Sequence, residues 1–196
     1  MKKHMLILGL APVLALGACG GGADNTADTN VTNTDVALTT DNALAPADNA
    51  MLTDEAATPS QKFANDVGAS DFYEIQAGQL AQERASAQGV KDFGAMLVKD
   101  HTTSTEKLKA AGGKADPAIV PNPVLNADQE ASLAALRAAE GAAFDAAFKT
   151  QQIAAHEKAL AILKGYAASG DVPELKAFAA EAQKVVETHL AELKGM

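Results

Sequence analysis

The sequence predicts an all-α domain, a four-helix bundle in which one long connection crosses between the second and third long helices. Two observations predict it. Four segments between residues 60 and 196 carry apolar residues at helical period, and none carries the alternation of a strand. Proline and glycine punctuation separates these segments and leaves two connections short and one long.

The first helix is expected from Ser60, a plausible N-cap after Pro59, to about Ala87, with Phe63, Val67, Glu74, Gly78 and Ala81 on one face. The second runs from about Val90 to Ala111 and stops at Gly112-Gly113; its stripe is Val90, Phe93, Leu97, His101, Ser104 and Leu108. The connection that follows contains Pro117, Pro121 and Pro123. It ends in a short helix starting at Asn126, with Gln129 as its capping-box partner and Leu133 and Leu136 as its apolar positions. The third long helix spans about Ala142 to Ala168, with Phe144, Phe148, Gln152, His156, Ala159 and Leu163 on one side. Gly170 ends it. The fourth begins at Pro173, favoured at a first helical position, and reaches Lys194 with Leu175, Phe178, Ala182, Val186, His189 and Leu193 inward. Amphipathic helices of similar length bury their stripes against one another. A crossing between the second and third belongs to the ferritin-like arrangement. A plain up-down bundle with the short helix capping one end is the alternative.

Among these apolar positions stand four residues of metal-ligand type, one per long helix: Glu74, His101, His156 and His189. Each lies near the middle of its helix, so antiparallel packing brings all four to one level. Three of the chain's four histidines are here. Buried imidazoles and a buried carboxylate need partners for their polar atoms. A metal ion satisfies them, and so does a metal-free network of hydrogen bonds. Imidazole with carboxylate suits a single zinc, copper or iron ion. Asp145 and Gln152 share the His156 face at separations of eleven and four residues, as candidate supporting acceptors. Asp100 beside His101 reads as a surface acid. Nothing points to a nucleophilic enzyme: there is no Gly-x-Ser-x-Gly, no cysteine in the domain and no Gly-rich phosphate loop.

The N-terminal part has a different character. Met1-Lys2-Lys3-His4 is a basic head, and an apolar run from Met5 to Leu16 follows, too short for the roughly 20 residues of a spanning helix. It closes Leu16-Gly17-Ala18-Cys19, which resembles a lipobox. Residues 1–18 are therefore expected to be a lipoprotein signal peptide, with Cys19 the lipidated first residue of the mature chain. An ordinary signal peptide with a chance cysteine is the alternative. Cys19 is the sole cysteine, which leaves no disulfide. Residues 19–60 form an acidic tether without Lys, Arg or aromatic side chains, unable to bury enough apolar surface to offset ordering entropy. Gly20 after the cysteine points to the outer membrane, facing the periplasm. The net charge of −9 gives no sign of nucleic-acid binding.

The segment from about Gln61 to Lys194 resembles the bacterial envelope family known as domain of unknown function 4142, placed with the ferritin-like bundles. The residues that carry the resemblance are Phe63 through Ala69, Tyr73-Glu74-Ile75 with Gln79-Leu80-Ala81, and Val90-Lys91-Asp92-Phe93. Met96 through His101, Phe144-Asp145, Gln152-x-x-x-His156 and His189-Leu190 extend it. The resemblance implies export and a helical bundle for residues 61–196, without a settled activity. A ferritin-like link implies a di-metal carboxylate site built on Glu-x-x-His pairs. The sequence departs from that: Val98, Ile153 and Val186 stand three residues before the histidines. Two functions are therefore expected to compete. One is a lipid-anchored envelope protein that binds one metal ion through its core. The other is a metal-free structural or interaction module held at the membrane by its lipid, its protein partner unspecified.

Overall fold

The computed structural model describes residues 57–196. The expected signal peptide, Cys19 and the tether up to residue 56 lie outside the described residues. Five helices follow: α1 (Pro59–Arg84), α2 (Gln88–Gly112), α3 (Ala127–Ala138), α4 (Gly141–Ser169) and α5 (Pro173–Gly195).

α1 begins earlier than expected. Thr58, not Ser60, is the N-cap, and its hydroxyl accepts from the Gln61 amide at 3.2 Å. Pro59 explains the correction: its fixed φ suits the first helical position, so Ser60 is already inside the helix and buried. α3 has the predicted capping box, with Asn126 Oδ1 accepting from the Gln129 amide and Gln129 Oε1 accepting from the Asn126 amide, both at 3.0 Å.

The packing order gives the topology. α1 packs on α2, α4 on α5, α1 on α4 and α2 on α5. One apolar cluster gathers the N-terminal half of α1 (Phe63, Val67), the C-terminal end of α2 (Leu108), the C-terminal half of α4 (Leu163, Tyr166) and the N-terminal half of α5 (Leu175, Phe178). The second gathers the opposite ends, including Ala81, Phe93, Phe148 and Leu193. Every adjacent pair is thus antiparallel, and α2 and α4 are parallel. α2 ends where α4 also ends, so the chain must travel the length of the bundle before α4 can start. Residues 113–140 make that journey along α1: Pro121 packs near Gly68, and Gln61 Nε2 donates to the Val120 carbonyl at 2.7 Å. α3 then packs on α1 and α4. This is the one-crossover, ferritin-like bundle. None of the described helices is long and apolar enough to cross a membrane.

Two details fix the register of the helices. α1 and α2 cross in close contact at Gly78 and Gly94, where a Cβ on Gly78 would fall 2.5 Å from the Gly94 carbonyl oxygen. At the α1–α2 turn, Asp145 of α4 accepts from the backbone amides of Ser86 and Ala87, both at 3.0 Å, and from the Ser86 hydroxyl. These bonds tie the α1–α2 turn to the start of α4, and the first turn of α2 itself has no side-chain cap.

Candidate metal centre

A polar layer separates the two apolar clusters. Each of the four long helices passes from one cluster to the other through it: α1 at Asp71 and Glu74, α2 at His101, α4 at Gln152 and His156, α5 at His189. All six side chains are buried, with Glu74, His156 and His189 only 1 % exposed. Polar groups so deep are costly unless satisfied, so their pairing decides what the layer is for.

Each imidazole has an outward nitrogen held by an oxygen acceptor. His101 Nδ1 meets Asp71 Oδ1 at 2.8 Å. His156 Nδ1 meets the backbone carbonyl of Gln152 at 2.9 Å, one turn back on α4. His189 Nε2 meets Asp100 Oδ2 at 3.1 Å, across the α2–α5 seam. Carboxylate and carbonyl oxygens only accept, so the N–H of each neutral ring must sit on these outward atoms. In the neutral form of each ring the inward nitrogen, His101 Nε2, His156 Nε2 or His189 Nδ1, is left as a bare lone pair. His156 Nε2 and His189 Nδ1 face each other at 3.2 Å, and His101 Nε2 has no hydrogen-bond partner. A nitrogen from each of the three rings lies within 4.8 Å of the others. Phe93 packs edge-on against the His189 ring, with centroids 5.8 Å apart, and closes the layer on one side.

Electrostatics keeps two of these rings neutral. Burial pushes the His156 pKa down to about 3, and the neighbouring His101 and His189 rings add to it. Burial also lowers that of His189, against the opposing bond to Asp100. For His101 burial acts downward too, but the Asp71 bond and the charges of Asp71, Glu74 and Asp100 together raise it. Burial raises Glu74 to about 7, with the attraction of His101 opposing and the charge of Asp71 assisting.

The four residues expected to act as ligands divide three and one. His101, His156 and His189 converge. Glu74 lies on the other side of the His156 ring, with Oε1 3.6 Å from Nδ1. α1 neighbours α4 but sits diagonal to α5, so the carboxylate reaches His156 from the flank that faces away from His189. Glu74 Oε2 and both amide atoms of Gln152 are buried without a hydrogen-bond partner, the amide lying beside the carboxylate. Gln152 thus meets His156 through its backbone carbonyl, and its side-chain amide lies beside Glu74 without a hydrogen bond. Asp145 does not support His156 at all. Eleven residues close three turns but also separate the two by about 16 Å along the axis, which leaves Asp145 at the end of the bundle.

Residues 41–196 match the model of a family described as domain of unknown function (DUF4142). The chain belongs to the DUF4142 family. Neither a curated protein nor a solved structure matches it. Two residues of this DUF4142 layer escape a reading by stripes. Asp71 fills the gap between Val67 and Glu74 on the buried face of α1, where helical period demands an inward residue, and that gap was the available signal. Asp100, expected at the surface, points along the seam between α2 and α5, and its side chain is 29 % exposed. A quarter-turn from the core face is a seam whenever another helix packs there.

Proposed function

We propose that this DUF4142 domain binds one transition-metal ion through His101, His156 and His189, and that lipid on Cys19 holds it at the outer membrane, facing the periplasm. The observation that carries the metal reading is the orientation of the three rings. Their N–H groups are committed outward to Asp71, the Gln152 carbonyl and Asp100, and three lone pairs are left facing one region of a buried layer. Lone pairs repel unless a cation stands between them. Oxygen acceptors behind ligating imidazoles fix the tautomer and raise ligand basicity, as is usual around bound metals. Three imidazoles suit zinc, copper or iron, and three protein ligands leave room for a further small ligand. The positions three residues before each histidine, Val98, Ile153 and Val186, supply no bridging carboxylate, so a di-iron oxidase or iron store is not the proposal.

A metal-free network is the second reading, favoured by the 3.2 Å separation of His156 Nε2 and His189 Nδ1, which one proton can bridge. Burial weighs against it by lowering the proton affinity of both rings. Titration of untagged, chelator-treated protein with Zn(II), Cu(II) and Fe(II) separates the two. Metal binding predicts saturation at one equivalent, with affinity reduced at least tenfold by His101→Ala, His156→Ala or His189→Ala. A network predicts no saturable binding, and the same variants then alter stability alone.

A further inference from the structure

A cleft of about 170 Å³ opens on the bundle surface and ends against the outer side of the polar layer. It does not touch His156 or His189. Its floor is His101 with Asp71 and Asp100, the carboxylates that hold His101 and His189 from behind. Its walls are mainly apolar, with Val67, Leu163, Phe178 and Val186 buried along it, and Ser70, Thr103 and Ser104 add hydroxyls. At the mouth stand Asp66, Glu181 and Lys107, and Lys107 Nζ is paired with Glu181 Oε2 at 3.4 Å.

The chemistry of the occupant follows from these surfaces. Four acids against one already paired lysine reject anions. Apolar walls offer no ligand to a hydrated metal ion, whereas they reward burial of hydrocarbon. Asp100 supplies the polar contact: Oδ2 holds His189, and Oδ1 has no hydrogen-bond partner among the described residues. The volume suits a body of benzene size, since a protein cavity of about 150 Å³ holds benzene. We infer that the cleft binds a small organic ammonium compound, its hydrocarbon body between Val67, Leu163, Phe178 and Val186 and its ammonium group donating to Asp100.

This does not depend on the metal reading, and the test is run without metal. The mature full-length chain, stripped with chelator, is titrated by calorimetry at constant pH with benzylammonium, benzyl alcohol and benzoate. Benzylammonium is expected to bind saturably and about tenfold more tightly than benzyl alcohol, since a hydrogen bond to a charged group carries roughly that factor. Benzoate is expected not to bind. Asp100→Asn should remove the preference for benzylammonium over benzyl alcohol. Ala182→Phe, which fills the cleft, should abolish binding of both. Val185→Phe is the second blocking variant: Val185 lines the cleft but is 42 % exposed, so the larger ring is accommodated without disturbing the core. Circular dichroism melts show that each variant is folded. Equal binding of the three probes, no saturation by benzylammonium, or unchanged binding in folded Ala182→Phe and Val185→Phe would overturn the inference.

Discussion

The proton on His156 Nδ1 shows how the layer works residue by residue. The Gln152 carbonyl takes that proton's hydrogen bond and turns Nε2 toward His189. Asp71 does the same for His101 and Asp100 for His189, so on the proposed metal reading a change in either acid acts on affinity without touching the ion. Asp71→Asn and Asp100→Asn are expected to weaken metal binding about 10- to 100-fold, the usual cost of losing an outer partner, as measured by competition with a chromophoric chelator. Leaving affinity unchanged in both would mean that the acids only balance charge. Protons compete with the ion for the inward nitrogens, so binding is expected to weaken as pH falls through the histidine range. The metal-free domain has its own pH signature. His156 has a folded pKa of about 3 against an ordinary 6.5, so the unfolded chain takes up the proton first. Its contribution to stability is complete above about pH 6.5 and is lost as pH falls toward 3. Glu74 has the opposite sign. Its pKa is raised from 4.5 to about 7, so its contribution is complete below 4.5 and lost as pH rises through 7. Thermal melts of metal-free Glu74→Gln should therefore exceed those of the parent at pH 8 by more than they do at pH 4. A difference that is the same at both would show that Glu74 does not titrate in this range.

At the scale of elements, what matters is how α1 and α4 are held while they carry polar residues in their middles. Gly78 and Gly94 bring α1 and α2 into backbone contact. Asp71 and His101 then lie close enough for a 2.8 Å bond. Gly78→Ala places a methyl against the Gly94 carbonyl and should destabilise the domain by about 1–3 kcal/mol, the usual cost of overpacking, in chemical denaturation. Asp145 braces the start of α2 and not the polar layer. Asp145→Ala should cost about 1–3 kcal/mol, as loss of hydrogen bonds to a charged group does, and leave metal affinity unchanged. A fall in affinity comparable to that of Asp71→Asn would restore Asp145 to the site. Residues 145 and 156 also show where reading by helical period stops. Period places side chains on a face, but height along the axis decides which of them meet. Asp71 and Asp100 show the complementary gap, since a residue beside the apolar stripe faces either solvent or a seam according to which helix packs there. The crossover, by contrast, was legible. Pro117, Pro121 and Pro123 forbid helix over a stretch too long for a hairpin, and the Asn126–Gln129 box restarts it. The pairing of α1 with α4 and of α2 with α5 was not legible, because four amphipathic stripes fit more than one cyclic order.

For the molecule as a whole, the division at the start of α1 sets what the N-terminal part is expected to contribute. Thr58 caps α1 and belongs to the domain. Deletion of residues 23–56, leaving Thr58 in place, should change the thermal midpoint of the domain by no more than a degree or two. A large fall would show that those residues pack on the bundle. Cys19→Ser should release the chain from the membrane fraction, and retention after signal removal would contradict lipid anchoring. The central question for the domain is what its core holds. Long-range ¹H–¹⁵N correlation spectra of the histidine side chains, recorded on untagged protein before and after one equivalent of Zn(II), answer it most directly. The prediction is that His156 and His189 are neutral and protonated at Nδ1 and Nε2, that His101 keeps its proton on Nδ1 against Asp71, and that the inward nitrogen of each ring shifts on addition of metal. Rings that do not respond to Zn(II), or a His156–His189 pair that carries a proton between its inward nitrogens throughout, would contradict a metal centre.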